Sequence, residues 1–167
     1  MYLDWTINYD ELKNYSLTEF DNEDGAVYGC IVLKLGKYQI GHLTNSITIN
    51  EGNDDISFYV DNLIICGIHI LKGNPFKLGL LSSNLLEISV EFNESVIINI
   101  FNKSDRKIEY TYTLSLENMI FEIKSVYEKY IKDIKDTNES LLQSKLISKT
   151  MEIYEEFLEL IRIQPNL

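Results

Sequence analysis

The most regular alternation of apolar and polar residues lies between positions 86 and 114. Leu86, Ile88, Val90 and Phe92 alternate with Glu87, Ser89 and Glu91. Val96, Ile98 and Ile100 alternate with Ile97, Asn99 and Phe101, and Ile108, Tyr110, Tyr112 and Leu114 with Glu109, Thr111 and Thr113. A period of two places alternate side chains on opposite faces of a strand. The polar breaks at Asn93-Glu94 and from Asn102 to Arg106 are short enough to join antiparallel neighbours. The pattern predicts a three-stranded meander at about 85–114 with one buried face.

The period lengthens after Leu114. Ser115 is a suitable N-cap, and Leu116, Met119, Ile120, Ile123, Tyr127, Tyr130, Ile131 and Ile134 keep helical spacing. Asp136-Thr137-Asn138 reads as a short connection to a second helix, lined by Leu142, Leu146, Ile153, Phe157 and Ile161 and ended by Pro165. So short a connection predicts two antiparallel C-terminal helices.

Upstream, Tyr2 to Tyr9 reads as an opening strand and Asp10 to Gly25 as an irregular acidic segment. Ala26 to Leu35 is a strand, Gly36 a turn, Lys37 to Leu43 the return strand and Ser46 to Asn50 a short further strand. Ile56 to Leu71 fits both periods. Asp54-Asp55 before it and Lys72-Gly73 after it match helix-end chemistry, so a buried helix is expected, with Asn74-Pro75 as the following turn. No repeat, low-complexity tract or linker interrupts the chain. The expectation is a single α+β domain over 1–167, an antiparallel sheet packed against helices.

Composition supports a folded chain. With 167 residues, 45% hydrophobic and 25% charged, it can bury a full core, and a mainly disordered chain is excluded. Cys30 and Cys66 match neither a disulfide framework nor a C-x-x-C metal or redox motif, and read as small buried residues in a reducing compartment. The N-terminus lacks a signal-peptide pattern, and the longest apolar run, Leu63 to Leu71, is about half a membrane span. A soluble cytoplasmic protein without a membrane partner is expected.

Charge adds a direction. The net charge is −11, and the first sixty residues hold ten acids against three lysines. Such a chain repels phosphate backbones, so nucleic acid is not an expected partner, whereas a basic protein is. The acids Asp10, Glu11, Glu19, Asp21, Glu23 and Asp24 interleave with Tyr9 and Tyr15. Carboxylates steer a cationic partner and aromatics supply anchoring area, which makes these eight residues the candidate partner-binding set. The other reading is a solvated loop whose aromatics point into the core.

Catalytic chemistry finds no motif. His42 and His69 lack H-x-x-x-H spacing, and their possible pairings with Cys30 or Cys66 have no local support. Asp21-Asn22-Glu23-Asp24-Gly25 misses the glycine and glutamate positions of a calcium loop, and Glu51 to Asp55 fits a turn better. Phosphate-binding glycine loops and the G-x-S-x-G elbow are absent. The expectation is a non-enzymatic binding protein with no cofactor, metal or catalytic residue.

Trp5 stands near the start, a strand pair lies around Gly29-Cys30-Ile31 and Gly36-Lys37, and a helix from Leu116 to Ile134 closes the plan. In this layout the chain resembles small acidic immunity proteins of bacterial toxin systems. The resemblance implies a cytoplasmic antitoxin that occludes a toxin's active site or substrate path. Two other readings stay open. One is an assembly module that oligomerises through its C-terminal helices, with Tyr154, Leu158 and Leu160 as the apolar face. The other is an enzyme of unknown chemistry that uses His42 or His69 with carboxylates in a pocket.

Overall fold

The computed structural model describes residues 1–23, 25–41, 54–79 and 86–163. His42, Asp24, Pro165 and the strand expected at 46–50 lie outside them. The described strands divide between two antiparallel sheets. In the first, β2 (Tyr28–Leu35) is central, with β1 (Tyr2–Ile7) on one side and β3 (Tyr38–Gly41) and the two-residue β4 (Asp54–Asp55) as its other partners. The second contains the expected meander as β6 (Leu86–Asn93), β7 (Ser95–Asn102) and β8 (Ile108–Leu114). It gains one strand at its edge, β5 (Phe76–Gly79), which pairs with β6. Four residues directly after Pro75 are too few for their alternation to stand out from the turn.

The fold is α+β, with helices packed on both sheets. The acidic segment is not irregular: it forms two short helices, α1 (Tyr9–Asn14) and α2 (Leu17–Asn22). Six residues give little periodic signal, but the caps are legible afterwards. Asn8 Oδ1 accepts from the Glu11 amide, and Ser16 and Glu19 form a reciprocal capping box.

Helix α3 (Ile56–Leu71) is the centre of the molecule, and ten of its sixteen residues are buried. Its N-cap is Asp55, whose Oδ1 accepts from the Phe58 amide at 2.9 Å. A helix covered on several sides has no single apolar stripe, which is why both periods fitted it. It touches β2, β5 and β6 as well as the last two helices, α4 (Leu116–Asn138) and α5 (Lys145–Ile163).

Side-chain pairings fix the helix directions. Ser57 meets Tyr130 and Gly67 meets Ile123, so α3 and α4 run antiparallel. Asp61 meets Thr150 and Gly67 meets Phe157, so α3 and α5 run parallel. The two C-terminal helices are therefore antiparallel to each other. They touch through Tyr127 and Tyr154, stacked at 3.5 Å between centroids. Gly67 sits where the three helices crowd together: a Cβ there would lie 2.6 Å from Ile123 Cδ1 and 2.8 Å from Phe157 Cε2.

Two boundaries differ from the expected ones. Asp136-Thr137-Asn138 is the last turn of α4 and not a connection. Lys132 pairs with Asp136, and Thr137 Oγ1 donates to the Asp133 carbonyl, so this polar turn is satisfied as helix. The actual connection is a 3-10 turn (Glu139–Gln143) that buries Leu141. In α5 the buried positions are Ile147, Thr150, Tyr154 and the expected Phe157, while Ile153 and Ile161 pack at the margin of the core, Leu146 is half-buried and Leu142 belongs to the 3-10 turn. Buried residues from both sheets and the helices form one contiguous cluster.

Candidate functional site

The acidic segment is clasped onto the junction between α4 and α5. Asn138 Nδ2 donates to the carbonyls of Leu12 and Tyr15, at 3.1 and 2.9 Å, which pins the α1–α2 connection to the end of α4. Asp21 Oδ1 accepts from the Lys145 amide at 2.9 Å and so holds α2 against the start of α5. Leu12 and Phe20 are buried beneath the two helices.

On this platform the carboxylates of both helices converge. Tyr15 Oη lies 3.2 Å from Glu11 Oε1 and 2.8 Å from Glu23 Oε2. One hydroxyl proton serves one acceptor at a time, so the two carboxylates share a single donor. Burial, followed by the adjacent Glu23 and Glu11, raises the Tyr15 pKa above the usual tyrosine value and keeps it a donor. The Tyr15 ring is half-buried, edge-on to Phe20 at 5.7 Å. It therefore braces the site from inside, whereas Tyr9 is 52% exposed and presents its ring to solvent.

The remaining acids divide by employment. Glu19 belongs to the capping box, and its bonds from the Ser16 hydroxyl and amide hold its pKa below the ordinary range. Asp21 tethers α5. The Asp10 and Glu23 side chains are exposed, and Asp24 lies outside the described residues. Asp10, Glu11, Glu19, Asp21 and Glu23 form no ion pair within 4.0 Å among the described residues. On neighbouring α4, Lys132 and Lys135 are already engaged with Asp136 and Glu139. Lys13, in the last turn of α1, is the basic side chain of the segment itself.

A second acidic face lies on α5. Glu152, Glu155, Glu156 and Glu159 follow one another at i, i+3, i+4 and i+7 along α5 and are all exposed. Among the described residues only Glu156 of these four forms an ion pair, to Lys72 at 2.7 Å. Its helical spacing is readable in the sequence, whereas a sum of charge is offset by nearby lysines such as Lys145 and Lys149. On the same helix Tyr154 is buried, and Leu158 and Leu160 are partly buried against the core.

Among the described residues the groups considered for catalysis do not assemble, and His42 lies outside them. His69 lies on α3 with its ring tilted against Phe76 at 5.4 Å, and its buried Nδ1 has no hydrogen-bond partner. Cys30 and Cys66 are buried and form no disulfide; burial pushes the Cys66 thiol up to about 12, which keeps it protonated. The cavity between the sheets and α3 holds about 60 Å³ and is bounded by side chains such as Leu33, Leu63, Cys66, Val90 and Met119. Neither a histidine nor a carboxylate lines it. No group of three or more potential metal ligands gathers among the described residues, and no described helix is long and apolar enough to cross a membrane. Comparison with protein-family models, curated proteins and solved structures finds no match to the chain.

Proposed function

We propose that this chain is a non-enzymatic binding protein, a cytoplasmic immunity protein that neutralises a basic toxin through the surface of α1 and α2. The observation that carries the reading is the convergence of Glu11 and Glu23 on Tyr15, within a set of five described carboxylates that lack ion pairs. A nuclease-type toxin must be cationic to hold phosphate, and an acidic inhibitor gains fast, electrostatically steered association with it. Anchoring the helices at Asn138 and Lys145 favours such a role, because a fixed surface loses little conformational entropy on binding. Tyr9 supplies exposed aromatic area beside the acids.

Co-expression with the product of the adjacent coding region tests the proposal. Cells that produce that protein should survive only when this chain is present, and the two should co-purify. Survival that does not depend on this chain would overturn the reading.

A further inference from the structure

The outer face of the second sheet carries a cationic pocket on this acidic protein. Lys77, Glu87, Phe101, Asn102, Lys103 and Arg106 line about 480 Å³ of space, within the range of small-molecule sites. Strand register sets its floor: Gly79 faces Glu87 on β6, and Glu87 faces Phe101 on β7, in one cross-strand row. Gly79 makes room for a charge, since Lys103 Nζ lies 3.1 Å from where a Cβ on that residue would stand. Lys77 is two residues back on the same strand face.

The other two cations come from the β7–β8 turn, and that turn is built. Asn102 Oδ1 accepts from the Ser104 amide and hydroxyl, and Asn102 Nδ2 donates to Glu109. The Arg106 amide closes onto the Asn102 carbonyl at 2.8 Å. Arg106 holds a left-handed φ of 56°, where glycine or asparagine is the ordinary choice. The acid of the turn, Asp105, is taken by Lys107. Lys77, Lys103 and Arg106 are left without an ion pair among the described residues, and Glu87 is the one acid in the lining.

We propose that this pocket binds the phosphate group of a small ligand. Three cations against one carboxylate exceed what a single carboxylate ligand would neutralise and suit a phosphate, which carries about −1.5 to −2 charges at neutral pH. Arg106 offers a planar fork for two phosphate oxygens and the lysines add point charges. Phe101 provides a flat apolar surface for whatever the phosphate is attached to.

Isothermal titration of the full chain with pyrophosphate and with ADP, at low ionic strength, tests this. Saturable binding of one ligand per chain is expected. K103Q/R106Q should weaken it roughly tenfold or more, since each lost charge-assisted bond is worth about a factor of ten. E87Q should tighten it by removing the opposing charge. Both variants change exposed or half-exposed side chains, and an unchanged melting curve verifies the fold. ADP binding more tightly than pyrophosphate assigns the site to a phosphate ester resting on Phe101, and equal affinity assigns it to the free anion. Absence of saturation with both ligands, or the same affinity in K103Q/R106Q, overturns the proposal.

Discussion

Lys129 Nζ lies 3.9 Å from the centre of the Trp5 ring, joining the first strand to a helix more than a hundred residues later. The same ammonium is 2.9 Å from Asp133 and 3.3 Å from Asp4, and Trp5 Nε1 donates to Asp133 at 2.9 Å. This cluster fastens α4 to β1. K129M keeps the packing of the stem but removes the charge, and should cost about 1 kcal/mol, the scale of a partly exposed cation–π contact. Urea denaturation checks it; equal midpoints would assign the cluster no energetic role.

Asp4 and Asp61 should give opposite pH signatures. Burial works against the Asp4 carboxylate, but Tyr2, the Trp5 amide and Lys129 together hold its pKa below the ordinary value. Its stabilisation is present above the unfolded pKa and is lost as pH falls through the depressed folded pKa. D4N should therefore be less stable than the parent at neutral pH, and the gap should close in acid.

Burial raises the Asp61 pKa, with Asp55 adding to the shift while Thr150 and Lys149 oppose it. The folded state then penalises the charged form, and the penalty is complete above the raised folded pKa. D61N preserves an acceptor for Thr150 Oγ1 and should be more stable than the parent at neutral pH, with the difference vanishing below the unfolded carboxylate range, about pH 3.9. Melting temperatures of both variants across pH would show the opposed trends.

At the helix crossing, G67A places a methyl group against Ile123 and Phe157. Overpacking costs about 1–3 kcal/mol, whereas replacing a helical glycine returns up to about 1 kcal/mol. A net loss is expected in chemical denaturation. A stabilised G67A would mean that the three helices separate more easily than their contacts imply.

The buried Ser57 hydroxyl accepts from the Val27 amide and from Tyr130 Oη, each at 2.9 Å. Y130F deletes one donor and leaves Ser57 its other partner, at a cost of about 0.5–1.5 kcal/mol. S57A strands two donors in the interior, each worth about 1–3 kcal/mol. The order S57A worse than Y130F is the expected outcome of equilibrium unfolding, and the reverse order would contradict this account of the network.

Regular periods made most of this fold legible. The 86–114 meander and α4 each bury one face, so burial is written as alternation or as a helical stripe. Helix α3 was found through its ends, Asp55 and Gly73, because its middle is covered on several sides. Burial of α5 centres on Ile147, Thr150, Tyr154 and Phe157, a stripe of which the sequence shows Phe157 and conceals the rest, since it includes a threonine. The short elements α1, α2 and β5 were illegible for want of length. As for the candidate site, the residue types of the acidic segment could be read, but not its clasp. The bonds from Asn138 and to Asp21 span more than 120 residues, and no local pattern encodes them. The cationic pocket draws Lys77, Lys103 and Arg106 together by strand register, which a count of charges along the chain cannot show.

The central claim is that the α1–α2 carboxylates steer a cationic protein. Its most direct test is the association rate constant with the toxin from the co-expression experiment, measured by stopped flow over a salt series. D10K/E23K reverses two exposed charges; the bond from Tyr15 Oη that it removes at Glu23 leaves Glu11 as the hydroxyl's other acceptor. The account predicts association roughly tenfold slower or more at low salt, a flatter salt dependence, and a folding stability within about 0.5 kcal/mol of the parent. Parent and variant associating at the same rate throughout the salt series would contradict it.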